Sequence, residues 1–331
     1  MRIVHYLQNT CVMLKSTGVI NMNRREFLGN AIKIGMAAGA SFFLKDFNPV
    51  FGLDEALPAR LRAYDMVAVK GGEPDVMFDT AMKAMGGMKN FVKPGQTVLV
   101  KPNIGWAVSP DLGATTNPVL VSRIIKHCID AGAKKVLVFD HSCDSGPSCY
   151  KISGIEDAVK NAGGVMVPGD NPGYYHNTAI PGSAVLKSAD FHETFLESDV
   201  FINVPVLKNH RMAQLTIGMK NYMGVVWARD QWHRTDLEAC IADCPLVRKP
   251  DLTVVDAYAV MMTNGPRGHS KGDVSILKNL LVSTDMLAAD VAAAKIFGTD
   301  PMNIGYLKKA SESGLLGNSD LSQLSIKKIL L

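Results

Sequence analysis

Apolar positions in this chain fall into two alternating patterns. Seven short runs, at 66–69, 97–100, 135–139, 165–167, 200–204, 252–255 and 280–283, are apolar almost without interruption. Runs of that length, such as TVLV, KVLVF and VFINV, suit strands covered by helices on both faces. Between them, residues 76–91, 118–131, 155–162, 235–242, 287–297 and 303–313 repeat their apolar residues at the helical period. The alternation predicts an α/β fold, a mostly parallel sheet with helices on both faces, as one domain or as two lobes around a cleft. Thr116-Asn117-Pro118 is a helix start, with proline early in the first turn, and Ala131-Gly132-Ala133 ends that helix. Residues 169–182 hold Gly, Pro, Asn and two tyrosines without a period. They predict a long loop or an inserted flap.

The start of the chain departs from this pattern. Asn23-Arg24-Arg25-Glu26-Phe27-Leu28 leads into an apolar stretch over 31–44, interrupted by Lys33. That stretch is short of the roughly 20 residues a helix needs to cross a bilayer. Gly35, Gly39, Lys33 and Lys45 weaken it further as a span. An ordinary first helix or a membrane anchor would account for the apolar run alone. Paired arginines ahead of a moderately apolar run resemble a twin-arginine export signal. The expectation is a protein folded in the cytoplasm, passed to the twin-arginine translocation machinery and delivered to the periplasm, or anchored there if the leader is kept. Met22 sits directly before the motif as a second possible start. Residues 1–21 then read as an over-called extension, 22–55 as signal and linker, and 60–331 as a single α/β domain.

Setting the leader aside changes the charge. The whole chain carries +4, but residues 1–45 hold six basic residues and one acid, so residues 46–331 sum to −1. No basic arm or interleaving of Lys, Arg and aromatics remains, which argues against nucleic acid as a partner.

In open α/β sheets ligands bind at the carboxyl ends of the strands. Polar residues follow five predicted strands in succession. The first two sets are Lys101-Pro102-Asn103 and Asp140-His141-Ser142-Cys143. Next come Lys208-Asn209-His210-Arg211, then Asp256 with Asn264-Gly265-Pro266-Arg267-Gly268. The last is Thr284-Asp285, with Asp290 on the following helix. A lysine between a strand and Pro102 is placed to neutralise a bound carboxylate or phosphate. His210, beside Lys208 and Arg211, is the candidate proton-transfer group or metal ligand. Lys208 and Asp256 join it as candidate catalytic residues. Asp256 or Asp285 would orient the histidine or hold a metal, and both also suit plain turn or helix caps. The amides around Asn264-Gly265 offer an anion nest or simply a turn. QLTIGMKNYMGVV at 214–226 carries Lys220 and Asn221. Its two glycines favour a loop in close approach to a ligand over a helix interior. Trp227 and Trp232 bracket charged residues, as a cleft wall would. The expected ligand is a small anion held by Lys101, Asn103, Lys220, Asn221, Asn264, Gly265 and Asp285.

Six cysteines are present, and four form the close pairs Cys143/Cys149 and Cys240/Cys244. Free thiols, disulfides and a shared metal site are all open. Cys240 and Cys244 are one helical turn apart and so face one side. If the pairs met, four thiolates could hold a divalent metal or an iron–sulfur cluster. Neither spacing follows a common zinc or ferredoxin pattern.

The order VLVKPN, TTNP, AGAKKVLVFDHS, SGI and INVPVLKNH with GMKNYMGVV resembles the bacterial family called domain of unknown function 362. DLTVVDAYAVMMTNGPRG, LLVSTDMLAADVAAAKIFG and GYLKKASESGLLG extend the likeness over about residues 65–317. The resemblance implies roles for Lys101, Asn103, Lys208, His210, Lys220, Asn221, Asp256, Asn264, Gly265, Pro266, Asp285 and Asp290. It also implies iron–sulfur chemistry, because many relatives carry a ferredoxin-like segment with two four-iron clusters on Cys-x-x-Cys-x-x-Cys runs. This chain has no such run. The expected function is therefore an exported protein with an anion- or cofactor-binding cleft serving redox or metal-linked chemistry. A binding or maturation subunit of an exported redox complex, travelling with a redox partner, is the alternative.

Overall fold

The computed structural model describes residues 64–331, together with three short strands ahead of them. Those strands, β1 (Tyr6–Leu7), β2 (Thr10–Lys15) and β3 (Gly18–Asn23), pair antiparallel in a sheet of their own. The expected leader, from Arg24 to Leu44, lies outside the described residues.

From Tyr64 the chain runs β4 (Met66–Lys70), α1 (Pro74–Ala84), β5 (Thr97–Pro102), α2 (Pro118–Asp130), β6 (Lys135–Val138), α3 (Gly146–Ile152), α4 (Ile155–Asn161) and β7 (Val165–Met166). It continues through β8 (Tyr175–Ala179), β9 (Ser188–His192), α5 (Glu193–Glu197), β10 (Val200–Val204), β11 (Val206–His210), β12 (Gln214–Thr216), α6 (Gly218–Asn221) and α7 (Leu237–Asp243). It closes with β13 (Leu252–Met261), β14 (Val274–Ser283), α8 (Met286–Phe297), α9 (Gly305–Ser313) and β15 (Ile326–Leu330). Asn117 caps α2 by accepting a hydrogen bond from the Val119 amide, with Pro118 in the first turn, as that tripeptide predicts. The helix expected over 76–91 stops at Ala84, because Gly86 and Gly87 take positive φ of 84° and 91°.

The large sheet has the order β15-β4-β14-β13-β10-β5-β6-β7, with β11 beside β13 and β12 on β11. Strands β7, β6, β5, β10 and β13 are mutually parallel. β14 runs antiparallel to both β13 and β4. The fold is thus α/β with a mixed, mostly parallel sheet flanked by helices. Successive strand residues feed two separate apolar cores. Val98, Val100, Ile202 and Val254 enter one, with Phe78, Ile124 and Val159 from α1, α2 and α4. Leu99, Phe201 and Val255 enter the other, with Phe195, Ile241 and Leu287 from α5, α7 and α8. That division explains the continuous apolar runs, since both faces of each strand are covered. Among the described residues no helix is long and apolar enough to cross a membrane.

The stretch 169–182 is not an open loop. Residues 172–174 make a 3₁₀ turn and β8 pairs antiparallel with β9.

Candidate functional site

Because β5, β6, β10 and β13 run in parallel, the segments that follow them converge. They border a cleft of about 1060 Å³. Its lining includes Lys208, Arg211, Lys220, Arg229 and Arg267 against two carboxylates, Asp140 and Asp230. His141, His210, His233 and His269 also face it. The positive excess is local, since the domain as a whole is close to neutral.

The floor of the cleft is a buried polar network. Lys101 Nζ donates to Asp140 Oδ1 at 2.7 Å, to the Pro102 carbonyl at 2.9 Å and to Asn221 Oδ1 at 3.2 Å. Both members of this ion pair are buried. Asp140 Oδ2 also accepts from the Ile104 amide at 2.6 Å. Burial lowers the Lys101 pKa, against the pull of Asp140. The lysine expected to meet a ligand anion is therefore matched to a carboxylate of the protein itself. Asn221 ties the end of β5 to β10. Its Oδ1 accepts from Lys101 and from Asn103 Nδ2 at 3.1 Å, while its Nδ2 donates to Asn203 Oδ1 at 2.9 Å and to the Lys101 carbonyl. Lys208, on β11, donates to Asn103 Oδ1 at 3.1 Å and to the Ala114 carbonyl. Burial pushes its amine down to about 7.

Lys220 differs from these. It is 9% exposed, lines the cleft from α6, and among the described residues its amine meets only the Met223 sulfur, at 2.9 Å. A thioether is a weak acceptor. Burial brings this amine down to about 8, with Cys143 opposing the shift and the Arg229 guanidinium adding to it. Arg229 itself is spent on the chain, donating to the carbonyls of His141, Ser142 and Met223 and contacting Cys143 Sγ at 3.6 Å.

The two central histidines hold opposite tautomers. His210 Nδ1 accepts from the amides of Met212 at 3.2 Å and Ala213 at 3.1 Å, so the ring proton is on Nε2. Burial and the nearby Lys220 and Lys208 push its pKa down to about 2. The expected proton-transfer residue is therefore a neutral hydrogen-bond donor. His141 has its Nδ1 2.8 Å from the Val226 carbonyl, which can only accept. Its proton is on Nδ1 and Nε2 keeps a lone pair. Burial, then Arg229, lowers its pKa. His141 stacks on Trp227 at 4.7 Å with the rings 3° apart. Trp227 is thus a wall of the cleft as expected, whereas Trp232 is buried in the core.

Other expected residues take structural positions. Asp285 follows a predicted strand and is expected at the ligand end, but β14 is antiparallel and Ser283 pairs with Thr253 near the start of β13. Asp285 sits at the opposite end of the sheet, capping α8 through the Ala288 amide and accepting from Asn318. Asp256 is buried within β13 and accepts from the amides of Asn117 at 2.7 Å and Tyr258 at 3.1 Å. It fixes the start of α2 rather than facing the cleft, and burial raises its pKa to about 6. Asp290 accepts from the amides of Gly218 at 2.7 Å and Met219 at 2.9 Å, anchoring the segment that carries Lys220. Asn264 and Gly265 do line the cleft. Their groups are committed, however, because the Gly265 amide donates to Asn209 Oδ1 at 3.0 Å and Asn264 Nδ2 donates to Asp273. No open anion nest forms there.

The four cysteines do not meet. Cys143 is exposed at the cleft, and Cys149 lies in one apolar core while Cys240 and Cys244 lie in the other. All are free thiols. Among the described residues no group of three or more His, Cys, Asp or Glu side chains is arranged to hold a metal ion. The described residues do not fit the iron–sulfur cluster or divalent metal that the cysteine pairs and the family resemblance suggest. The residues that sequence reasoning left out of its ligand set are Asp140, His141 and Arg229. The first two stand directly after a predicted strand, and Arg229 lies between the two tryptophans.

Residues 98–295 match the family described as domain of unknown function (DUF362), and the chain belongs to that family. A thylakoid-associated protein from Synechocystis sp. is 28% identical over 261 residues, covering 71% of this chain and 74% of that protein. The lactate racemase apoprotein of Thermoanaerobacterium thermosaccharolyticum superposes with a TM-score of 0.44 at 12% identity, over 69% of this chain. The superposition takes in 56% of the racemase chain. A likeness that slight carries nothing about activity.

Proposed function

We propose that the cleft binds a small organic anion, and that Lys220 is the residue that receives its charge. The supporting observation is the state of Lys220: a buried amine in a cationic cleft whose only hydrogen-bond partner among the described residues is a thioether. Burying an ammonium without a counter-charge is costly. A bound carboxylate or phosphate would supply that charge, and Lys101 cannot compete for it because Asp140 already satisfies it. His141, with a free lone pair at Nε2, is the cleft residue suited to accept a proton from the ligand. His210 would donate a hydrogen bond instead. This assigns the anion-binding part of the expected function to a defined group, while among the described residues redox chemistry has no ligand set. Delivery to the periplasm by the twin-arginine route is part of the same proposal and rests on the Arg24-Arg25 leader.

Melting temperature and calorimetric titration against a panel of small carboxylates and phosphates test this. Saturable binding is expected for the wild type, and Lys220→Met should weaken it about 10- to 100-fold, the worth of one charge-assisted hydrogen bond. Equal affinity in the variant, or no response to any anion, would refute the reading.

A further inference from the structure

We infer that Lys220 forms an imine with a carbonyl-bearing organic anion, a 2-oxo acid, held in this cleft; the inference rests on the anion-binding reading above and adds the substrate class. Three lysines are buried among the described residues: Lys101, Lys208 and Lys220. Two of them spend their amines on oxygen atoms of the protein, Lys101 on Asp140, Pro102 and Asn221, and Lys208 on Asn103 and Ala114. Lys220 alone meets no oxygen, so its nitrogen is uncommitted and faces a cleft of about 1060 Å³. Its surroundings raise the share of the neutral amine. Burial acts most strongly on Lys220; Cys143 opposes it and Arg229 adds to it, while Lys220 in turn acts on Lys208, His210 and His233. Desolvation beside other cationic groups is the setting in which a lysine becomes a nucleophile towards carbonyls. With its pKa brought down to about 8, roughly a tenth of the amine is neutral at pH 7, a few hundred times more than for an ordinary lysine.

A ligand with a carbonyl beside a carboxylate uses both properties of the cleft. The cationic lining, with Arg211 and Arg267 exposed, attracts the carboxylate. The Lys220 nitrogen lone pair then attacks the carbonyl carbon, forming the C–N bond while the C=O π pair moves to oxygen. One amine proton passes to that oxygen and gives a carbinolamine. Loss of the hydroxyl with the second amine proton, as water, leaves the C=N bond. The step is a condensation and needs no oxidant or reductant.

Borohydride trapping tests it. The full chain is incubated with 2-oxobutyrate, reduced with sodium borohydride and mapped by peptide mass spectrometry, with 2-hydroxybutyrate as the control that lacks a carbonyl. The expected result is a reduced 2-oxobutyrate adduct on Lys220, absent with the control acid. Lys220→Met should lose the adduct. Lys220→Arg, which removes the nucleophile, should lose the adduct as well. Melting shifts from both acids with Lys220 unmodified would overturn the imine and leave anion binding standing. Adducts spread over exposed lysines with Lys220 untouched would also overturn it. No shift and no adduct from either acid would remove the anion-binding reading as well.

Discussion

Lys208 and Lys220 are amines that the fold holds at about 7 and about 8, against about 10.4 in an unfolded chain. Between those values the unfolded state binds more protons than the folded one, so stability should rise as pH increases from about 7 to about 10. Denaturant melts across that window should show the rise, and Lys208→Met and Lys220→Met should each flatten it. A pH profile unchanged from the wild type in both variants would mean that neither amine is perturbed. The same residues show what a sequence exposes at this scale. Lys220 and Asn221 stand out because two glycines bracket them in an apolar segment. The pairing of Lys101 with Asp140 does not, because it spans 39 positions and depends on β5 and β6 lying side by side. Its place in the sequence consequently suits Lys101 to a ligand, whereas the fold gives it an internal partner and leaves Lys220 open.

At the scale of elements, the glycines of 214–226 do mark close approach, though to the protein's own carboxylates. A Cβ on Gly224 would lie 1.7 Å from Asp140 Oδ1 and 2.7 Å from Lys101 Nζ, and one on Gly218 would lie 2.6 Å from Asp290 Oδ1. Gly224→Ala should force the buried ion pair apart and cost on the order of 3–5 kcal/mol, the usual price of breaking such a pair. Chemical denaturation of the variant checks this, and a loss under about 1 kcal/mol would show that the pair can shift freely. Parallel strands were legible because they are apolar on both faces. β8, β9, β11 and β12 were not, since sequences such as YHNTA and VLKNH carry little apolar period. The direction of β14 was equally hidden. A run such as LLVS reads the same in either orientation, and the antiparallel one carries Asp285 to the far end of the sheet.

For the whole molecule, charge is distributed with a purpose that composition conceals. The chain from residue 46 onward is close to neutral, yet five Lys and Arg side chains line one cleft with two aspartates. The export route belongs to this scale too. Replacing Arg24 and Arg25 together by lysine should leave the protein in the cytoplasm. Fractionation and immunoblotting would read that directly, and unchanged periplasmic recovery would rule the twin-arginine route out. That prediction and the cleft are independent, and either can fail alone. The claim on which the functional account turns is that Lys220 is an amine waiting for an anion. Its Nζ resonance in ¹⁵N-lysine-labelled protein, assigned by its loss in Lys220→Met, can be titrated with pH in the absence and presence of saturating 2-hydroxybutyrate. The account predicts a midpoint near 8 in the free protein and an upward move when the anion is bound. A midpoint at the ordinary lysine value of about 10.4, unmoved by the anion, would contradict it.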